Sequence, residues 1–339
     1  MNNIDGSFSQ FNFEIERLAG EVKRRGVRRL LIQMPDGLKP YAANISRELM
    51  KRTGVEVYIS AGPCYGGCDV ATGQAKLLNV DLIAHYGHTE FVRVDDCPTI
   101  FLEARSEMSL TEILDRLESK ISIYRRVGVA TTLQHLNELG EVEERLERLG
   151  VEAVITPRCG RNRYCGQIIG CDYTPLKTVS GKVESFIVIG SRFHGLGASL
   201  AVEKPVILAD PYLSKVTDME WERRSLINRR YAVIERAKGA KSFGIILGSK
   251  IGQYNPETAE MLRRIIAARG RDAVTIVADE VSSSSLGNFE GLDVFVNTAC
   301  PRLSLDDSEK FTKPLLLPKE ALVSIGEVGW EEVLGQGLI

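Results

Sequence analysis

What this 339-residue chain lacks narrows its class before any motif is read. No run approaches the ~18 consecutive apolar residues that cross a bilayer as a helix, so no membrane partner is expected. The opening segment, MNNIDGSFSQFNFEIERLAG, has no basic stretch followed by an apolar one, which argues against a secretory leader and for a cytoplasmic protein. A formal net charge of −2 gives no reason to expect nucleic acid as a direct partner. The seven cysteines are odd in number and clustered, which is not an even disulfide framework. That favours reduced thiols serving metal, catalysis or packing. There is no compact C-x2-C pair, nor the C-x3-C-x2-C run of the common radical enzymes, so spacing alone names no metal.

What is present reads as a globular α/β chain. Hydrophobic content of 44% and charged content of 26% are ordinary for a protein with real cores, and the length suits two or three domains. Short β-branched runs alternate with amphipathic helical patterns, the signature of βαβ units. KPYAANISRELMKRTG predicts a helix with Pro40 near its start and Gly54 after its end. QHLNELGEVEERLERLG puts Leu136, Leu139, Val142, Leu146 and Leu149 on one helical face, and ETAEMLRRIIAARG has the same grammar up to Gly270.

An internal repeat organises these elements. Three strands are led by an acidic residue, from Asp81, Glu184 and Asp293, and each is followed by a strand led by proline, at Pro98, Pro205 and Pro314. The prolines lie 107 and 109 residues apart. We therefore expect three repeated small α/β domains, each a parallel sheet flanked by helices, at 1–106, 107–212 and 213–339, arranged around a central site. Ligands of open α/β sheets collect beyond the carboxyl ends of the strands. Six of the seven cysteines fall on such strand-end loops, with at least one in each repeat: Cys64 and Cys68, then Cys159, Cys165 and Cys171, then Cys300. Three soft donors brought to one point suit either an iron–sulfur cluster with one open iron or a zinc ion with an open position. The competing reading is that most are buried thiols acting as small hydrophobes.

The segments YGGCD (Tyr65–Asp69), GQIIGCDYTP (Gly166–Pro175) and VNTACPRLSLDD (Val296–Asp307), with QMPDGL and GSKIGQ, resemble one family over nearly the whole chain. It is the family of diphthamide-synthesis enzymes that act first on elongation factor 2, in its single-chain, homodimeric archaeal form. The resemblance implies that Cys68, Cys171 and Cys300, one from each domain, hold a [4Fe–4S] cluster whose open iron receives S-adenosylmethionine. It also implies reductive cleavage between sulfur and the methionine γ-carbon. The 3-amino-3-carboxypropyl group is then added to C2 of a histidine imidazole, methylthioadenosine leaves, and an unidentified donor supplies the electron.

Gly66 and Gly67 are then expected to let the backbone pass close to a bulky cluster. Cys64 departs from the family pattern and reads as a packed thiol; Cys159 and Cys165 read as loop additions, and Cys97 as buried. The strand-end loops offer Gln33, Asp36, Gly37, Ser249, Lys250 and Gln253 for S-adenosylmethionine, with Lys250 a candidate for its carboxylate. General-base work is conceivable for His85, His88, His135 and His194, although each taken singly reads as a satisfied structural histidine. Arg223, Arg224, Arg229 and Arg230 share a predicted helix that reads as a solvated face, with an acidic partner surface as the alternative. Two other functions remain open. One is a zinc-dependent hydrolase or transferase using the same three cysteines. The other is a non-catalytic module that cradles a nucleotide-like ligand.

Overall fold

A computed structural model describes residues 10–338; the first nine residues, where part of the leader argument falls, and Ile339 lie outside the described residues. The first unit runs β1 (Phe11–Asn12), α1 (Ile15–Arg25), β2 (Arg29–Gln33), α2 (Lys39–Thr53), β3 (Glu56–Ile59), α3 (Thr72–Leu78), β4 (Leu82–Tyr86), β5 (Thr99–Leu102) and β6 (Arg105–Ser106). Its parallel sheet has the order β3-β2-β4-β5, while β1 and β6 form a separate antiparallel pair. The second runs α4 (Thr111–Ile121), β7 (Arg126–Thr131), α5 (Leu139–Arg148), β8 (Glu152–Ile155), α6 (Thr174–Val179), β9 (Ser185–Ile189), α7 (Arg192–Ala201), β10 (Val206–Asp210) and β11 (Lys215–Asp218). Its sheet is β8-β7-β9-β10, with β11 added antiparallel at the edge.

The third unit begins with α8 (Glu220–Ala237), β12 (Ser242–Gly248), α9 (Pro256–Ala268), β13 (Asp272–Ala278) and α10 (Ser283–Gly287). It ends with β14 (Val294–Asn297), α11 (Pro301–Leu305), β15 (Leu315–Leu316), α12 (Pro318–Ser324) and α13 (Trp330–Gln336). Its order, β13-β12-β14-β15, repeats that of the other two sheets: second strand, first, third, fourth.

The repeat has a physical cause. Asp81 accepts the backbone N–H groups of Arg28 and Arg29 at 2.8 and 2.9 Å, and Asp293 accepts those of Lys241 and Ser242 at 2.7 and 3.0 Å. Glu184 accepts the N–H of Arg125 at 2.7 Å. In each unit the acid leading the third strand ties down the entry to the first. Those backbone donors hold the carboxyls of Asp81 and Asp293 below the ordinary carboxylate range. The prolines repeat a second contact: Ile83, Phe186 and Phe295 donate their N–H to the carbonyls of Pro98, Pro205 and Pro314 at 2.9, 2.8 and 2.9 Å. Proline at a strand's first position keeps its carbonyl available and has no N–H to leave unpaired.

The helices follow the sequence pattern with two departures. The first is the segment ahead of α5. Residues Leu133–Glu138 form a 3-10 turn broken at His135, and only from Leu139 does an α-helix bury Val142 and Leu146. His135 is wholly buried and neither ring nitrogen has a hydrogen-bond partner, so it is not a satisfied structural histidine. Burial lowers its pKa from the ordinary 6.5 to about 4. The unfolded chain therefore binds a proton that the folded chain refuses, and stability falls as pH drops from 6.5 towards 4, by up to ~3 kcal/mol from this group. His135→Leu is expected to flatten that acid limb in urea unfolding between pH 7 and 4.5.

The second departure is α8. Arg224 and Arg229 are exposed and Arg223 is half-buried, but Arg230 is fully buried. Its guanidinium meets both carboxylate oxygens of Glu320 at 2.8 and 2.5 Å and the carbonyls of Ser304 and Leu315 at 2.7 Å each. Arg230 is thus an internal strut of the third unit, bracing α11 against α12. Among the described residues no helix is long and apolar enough to cross a membrane.

Candidate functional site

Beyond the carboxyl ends of the strands lies a cavity of about 690 Å³, within the range of small-molecule sites. Cys68, Cys171 and Cys300 all line it. They arrive by different routes. Cys68 lies on the loop after β3 and Cys171 on the loop after β8, the second strands of their sheets; Cys300 follows β14, a third strand, and caps α11. The fold repeats but the position that supplies the thiol does not, which is why no regular cysteine spacing marks the site.

The third unit clasps the Cys68 loop. Gly252 donates its N–H to the Cys68 carbonyl at 2.9 Å, and Gln253 Nε2 points at Cys68 Sγ at 3.5 Å. A Cβ at position 252 would sit 2.4 Å from Cys68 Cβ and 2.5 Å from its Cα, so only glycine allows this approach. Gly252→Ala must push the two loops apart; the expected outcome is a loss of ~1–3 kcal/mol in denaturant unfolding together with displacement of Cys68. Lys250, buried in the same loop, pairs with Asp69 at 2.8 Å and with Glu280. At Gly67 the chain itself comes close: a Cβ there would lie 2.4 Å from the Thr89 carbonyl. Gly66 does face the cysteine, with its Cβ position 3.2 Å from Cys68 Sγ.

Around the other thiols, Arg161 reaches to 4.0 Å of Cys171 Sγ, and Asn297 holds the Cys300 carbonyl at 2.7 Å. Arg302 lies over the Phe193 ring at 3.7 Å and contributes a cation to the cavity wall, bridging the third and second units. Burial raises all three thiol pKa values, that of Cys300 to about 11, and the charge on Cys68 pushes up both Cys171 and Cys300. Three thiols that line one cavity and resist ionisation need a strongly cationic occupant to become thiolates, and a metal centre is such an occupant.

The six residues expected to touch S-adenosylmethionine divide. Asp36 and Gly37 line the cavity. Gln33 is buried behind it, donating to the Asp69 carbonyl at 2.6 Å and accepting from Ala71 N–H at 2.9 Å. Ser249 bonds Asp279 at 3.2 Å, while Lys250 and Gln253 are engaged as described. The remaining cysteines are free thiols. Cys97 is buried against the Val80 carbonyl, Cys159 contacts Thr178, and Cys165 is exposed. Cys64 lines the cavity, as do His88 and His194.

A sequence model described as "Putative diphthamide synthesis protein" matches residues 34–334. The chain belongs to this diphthamide-synthesis family. It is 35% identical over 320 residues to a 2-(3-amino-3-carboxypropyl)histidine synthase of Pyrococcus horikoshii, covering 93% of this chain and 92% of that one. It is 32% identical over 321 residues to subunit 1 of the Saccharomyces cerevisiae enzyme of the same name, covering 93% and 75%. A crystal structure of Dph2 from Pyrococcus horikoshii with a 4Fe-4S cluster superposes with a TM-score of 0.87 at 33% identity, over 94% of this chain and 92% of that one. This member of the diphthamide-synthesis family has parallel sheets flanked by helices and a cavity lined by a cysteine that follows a strand of each sheet.

Proposed function

We propose that the chain carries out the first step of diphthamide biosynthesis. It transfers the 3-amino-3-carboxypropyl group of S-adenosylmethionine to C2 of a histidine imidazole in elongation factor 2, and methylthioadenosine is released. The observation that carries this reading is the convergence of Cys68, Cys171 and Cys300 on one cavity from three separate sheets. The divisions at 106/107 and 212/213 then give three units, each contributing one ligand.

The donor set fits a [4Fe–4S] cluster: three half-buried thiols lining one cavity, which would leave a fourth iron free for substrate. Held there, such a cluster supplies the single electron that splits the sulfur–Cγ bond. The chain's own residues do the rest. Gln253 and Arg161 direct N–H groups at the sulfurs of Cys68 and Cys171, which together with burial tunes the reduction potential. Arg302 is the cation positioned to meet the substrate carboxylate, beside Cys300 and at the cavity wall. Asp36 and Gly37 face the same volume and are assigned to the substrate. Gln33, Ser249, Lys250 and Gln253 act by holding the loops that shape it. Which bond breaks follows from which carbon faces the open iron, so these walls decide the product. The reading extends to a homodimer in the cytoplasm, served by an external electron donor.

The test is an anaerobic reaction of reconstituted, reduced protein with S-adenosylmethionine and elongation factor 2. Methylthioadenosine should appear in step with an aminocarboxypropyl mass gain on one histidine. Release of 5′-deoxyadenosine instead, or no reaction from protein with a full complement of iron, would overturn it.

A further inference from the structure

Beside the three-cysteine set stands a second group of metal-ligating side chains. Cys64 Sγ lies 3.8 Å from His85 Nε2 and 4.0 Å from His88 Nδ1, and the two imidazole nitrogens are 3.0 Å apart. Around a tetrahedral zinc ion, with Zn–S of about 2.3 Å and Zn–N of about 2.0–2.1 Å, the corresponding edges are roughly 3.6 Å for S···N and 3.4 Å for N···N. Each separation here is within about 0.4 Å of those edges. The three donor atoms all lie within 4.8 Å of one another.

The tautomer of His85 is fixed for this role. Gln33 gives its amide N–H to the Asp69 carbonyl and takes the Ala71 N–H on Oε1. The atom 3.0 Å from His85 Nδ1 is therefore an acceptor, so Nδ1 carries the proton and Nε2 presents its lone pair to Cys64 and His88. His88 Nδ1 donates into that lone pair in the metal-free chain and becomes a ligand when its proton moves to its own Nε2. A metal-binding imidazole is ordinarily held this way, its second nitrogen donating to an oxygen behind it. His85 is fully buried, which keeps the ring neutral and in place, whereas Cys64 and His88 line the cavity. A Cys–His–His set leaves one of four tetrahedral positions open, and the cavity is where it opens.

We infer that Cys64, His85 and His88 bind a single transition-metal ion of the zinc class, separate from the Cys68–Cys171–Cys300 centre, with an exchangeable water in its fourth position. Cys64 is then a ligand rather than the packed thiol expected from sequence. Its thiol is buried, with the Gly66 backbone N–H beside it, and coordination supplies the cation that lets it ionise.

The experiment uses the anaerobically reconstituted protein with its full iron complement, exposed to zinc chloride, desalted and analysed for zinc and iron together. Wild type should retain about one zinc per chain beyond its iron. Cys64→Ser and His88→Gln should each lower zinc affinity by at least about tenfold while iron content stays the same. Cobalt in place of zinc adds a second readout: a thiolate-to-cobalt charge-transfer band present in wild type and absent from Cys64→Ser. Circular dichroism establishes that both variants are folded; if one is not, the other with the cobalt spectrum of wild type decides. Wild type that retains no stoichiometric zinc would overturn the assignment and leave a hydrogen-bonded imidazole pair. Equal zinc retention in the folded variants would do the same. Loss of iron in Cys64→Ser would overturn it differently, by making Cys64 part of the larger centre.

Discussion

Replacing Cys68, Cys171 or Cys300 with alanine, one at a time, is expected to lower methylthioadenosine release by more than about 10²-fold, beyond what loss of a residue behind a ligand costs. Each substitution leaves two half-buried thiols facing a gap that neither can close, because the three come from separate sheets and their loops are tied in place. Cys68 is fixed by the Gly252 N–H at 2.9 Å and Cys300 by Asn297 at 2.7 Å, so the remaining two thiols of the set stay where they are. The control is Cys97→Ala. That thiol is buried in the first unit, touches the Val80 carbonyl and does not reach the cavity. It should cost packing energy of ~1–2 kcal/mol and leave release within a few-fold of wild type. Quantifying methylthioadenosine and iron per chain for all four variants checks both halves of the expectation.

The largest effect on stability is expected from Arg230→Met. This removes a guanidinium that satisfies both oxygens of Glu320 and two backbone carbonyls, and it strands the Glu320 carboxylate with no water to solvate it. Breaking one side of a fully buried pair costs ~3–5 kcal/mol. In a thermal scan of a chain this long that is a fall in Tm of roughly 4–7 °C. Arg230→Met combined with Glu320→Leu removes the stranded charge and should recover much of the loss. The site should feel the single change, since Arg230 braces the Ser304 carbonyl in the short helix that Cys300 caps. Reduced iron retention in Arg230→Met, partly restored in the double variant, is the accompanying expectation.

Most of the architecture was legible in the sequence because the repeat is enforced by local chemistry. An acid before the third strand and a proline before the fourth recur since each makes at least one matching backbone contact in every sheet, and such residues stand out in a linear reading. Gly54 after α2 was equally legible, with a φ of 72° that ends the helix as the pattern predicts. The site was legible only in part. Lys250 and Gln253 look like ligand residues on a strand-end loop, yet their partners, with that of the neighbouring Gly252, are Glu280, Asp69 and Cys68. Three of these contacts cross from the third unit to the first, over some 180 positions, and no local pattern encodes them. Arg230 was misread for the same reason, as its partner Glu320 lies on a helix 90 residues away. The Cys64–His85–His88 group did leave a trace, since two histidines three residues apart close a strand beside the loop that carries a spare cysteine. The trace acquires meaning only when β2, which carries Gln33, is seen to separate β3 from β4.

The central claim is that three cysteines more than a hundred residues apart hold one cluster. Low-temperature electron paramagnetic resonance of the anaerobic, dithionite-reduced protein tests it most directly, with wild type measured beside Cys300→Ala. The account predicts a [4Fe–4S]⁺ signal in wild type that disappears, or collapses to a signal with fewer irons, in the variant. An unchanged signal and unchanged iron content in Cys300→Ala would contradict it, since the cluster would then be held without the third unit.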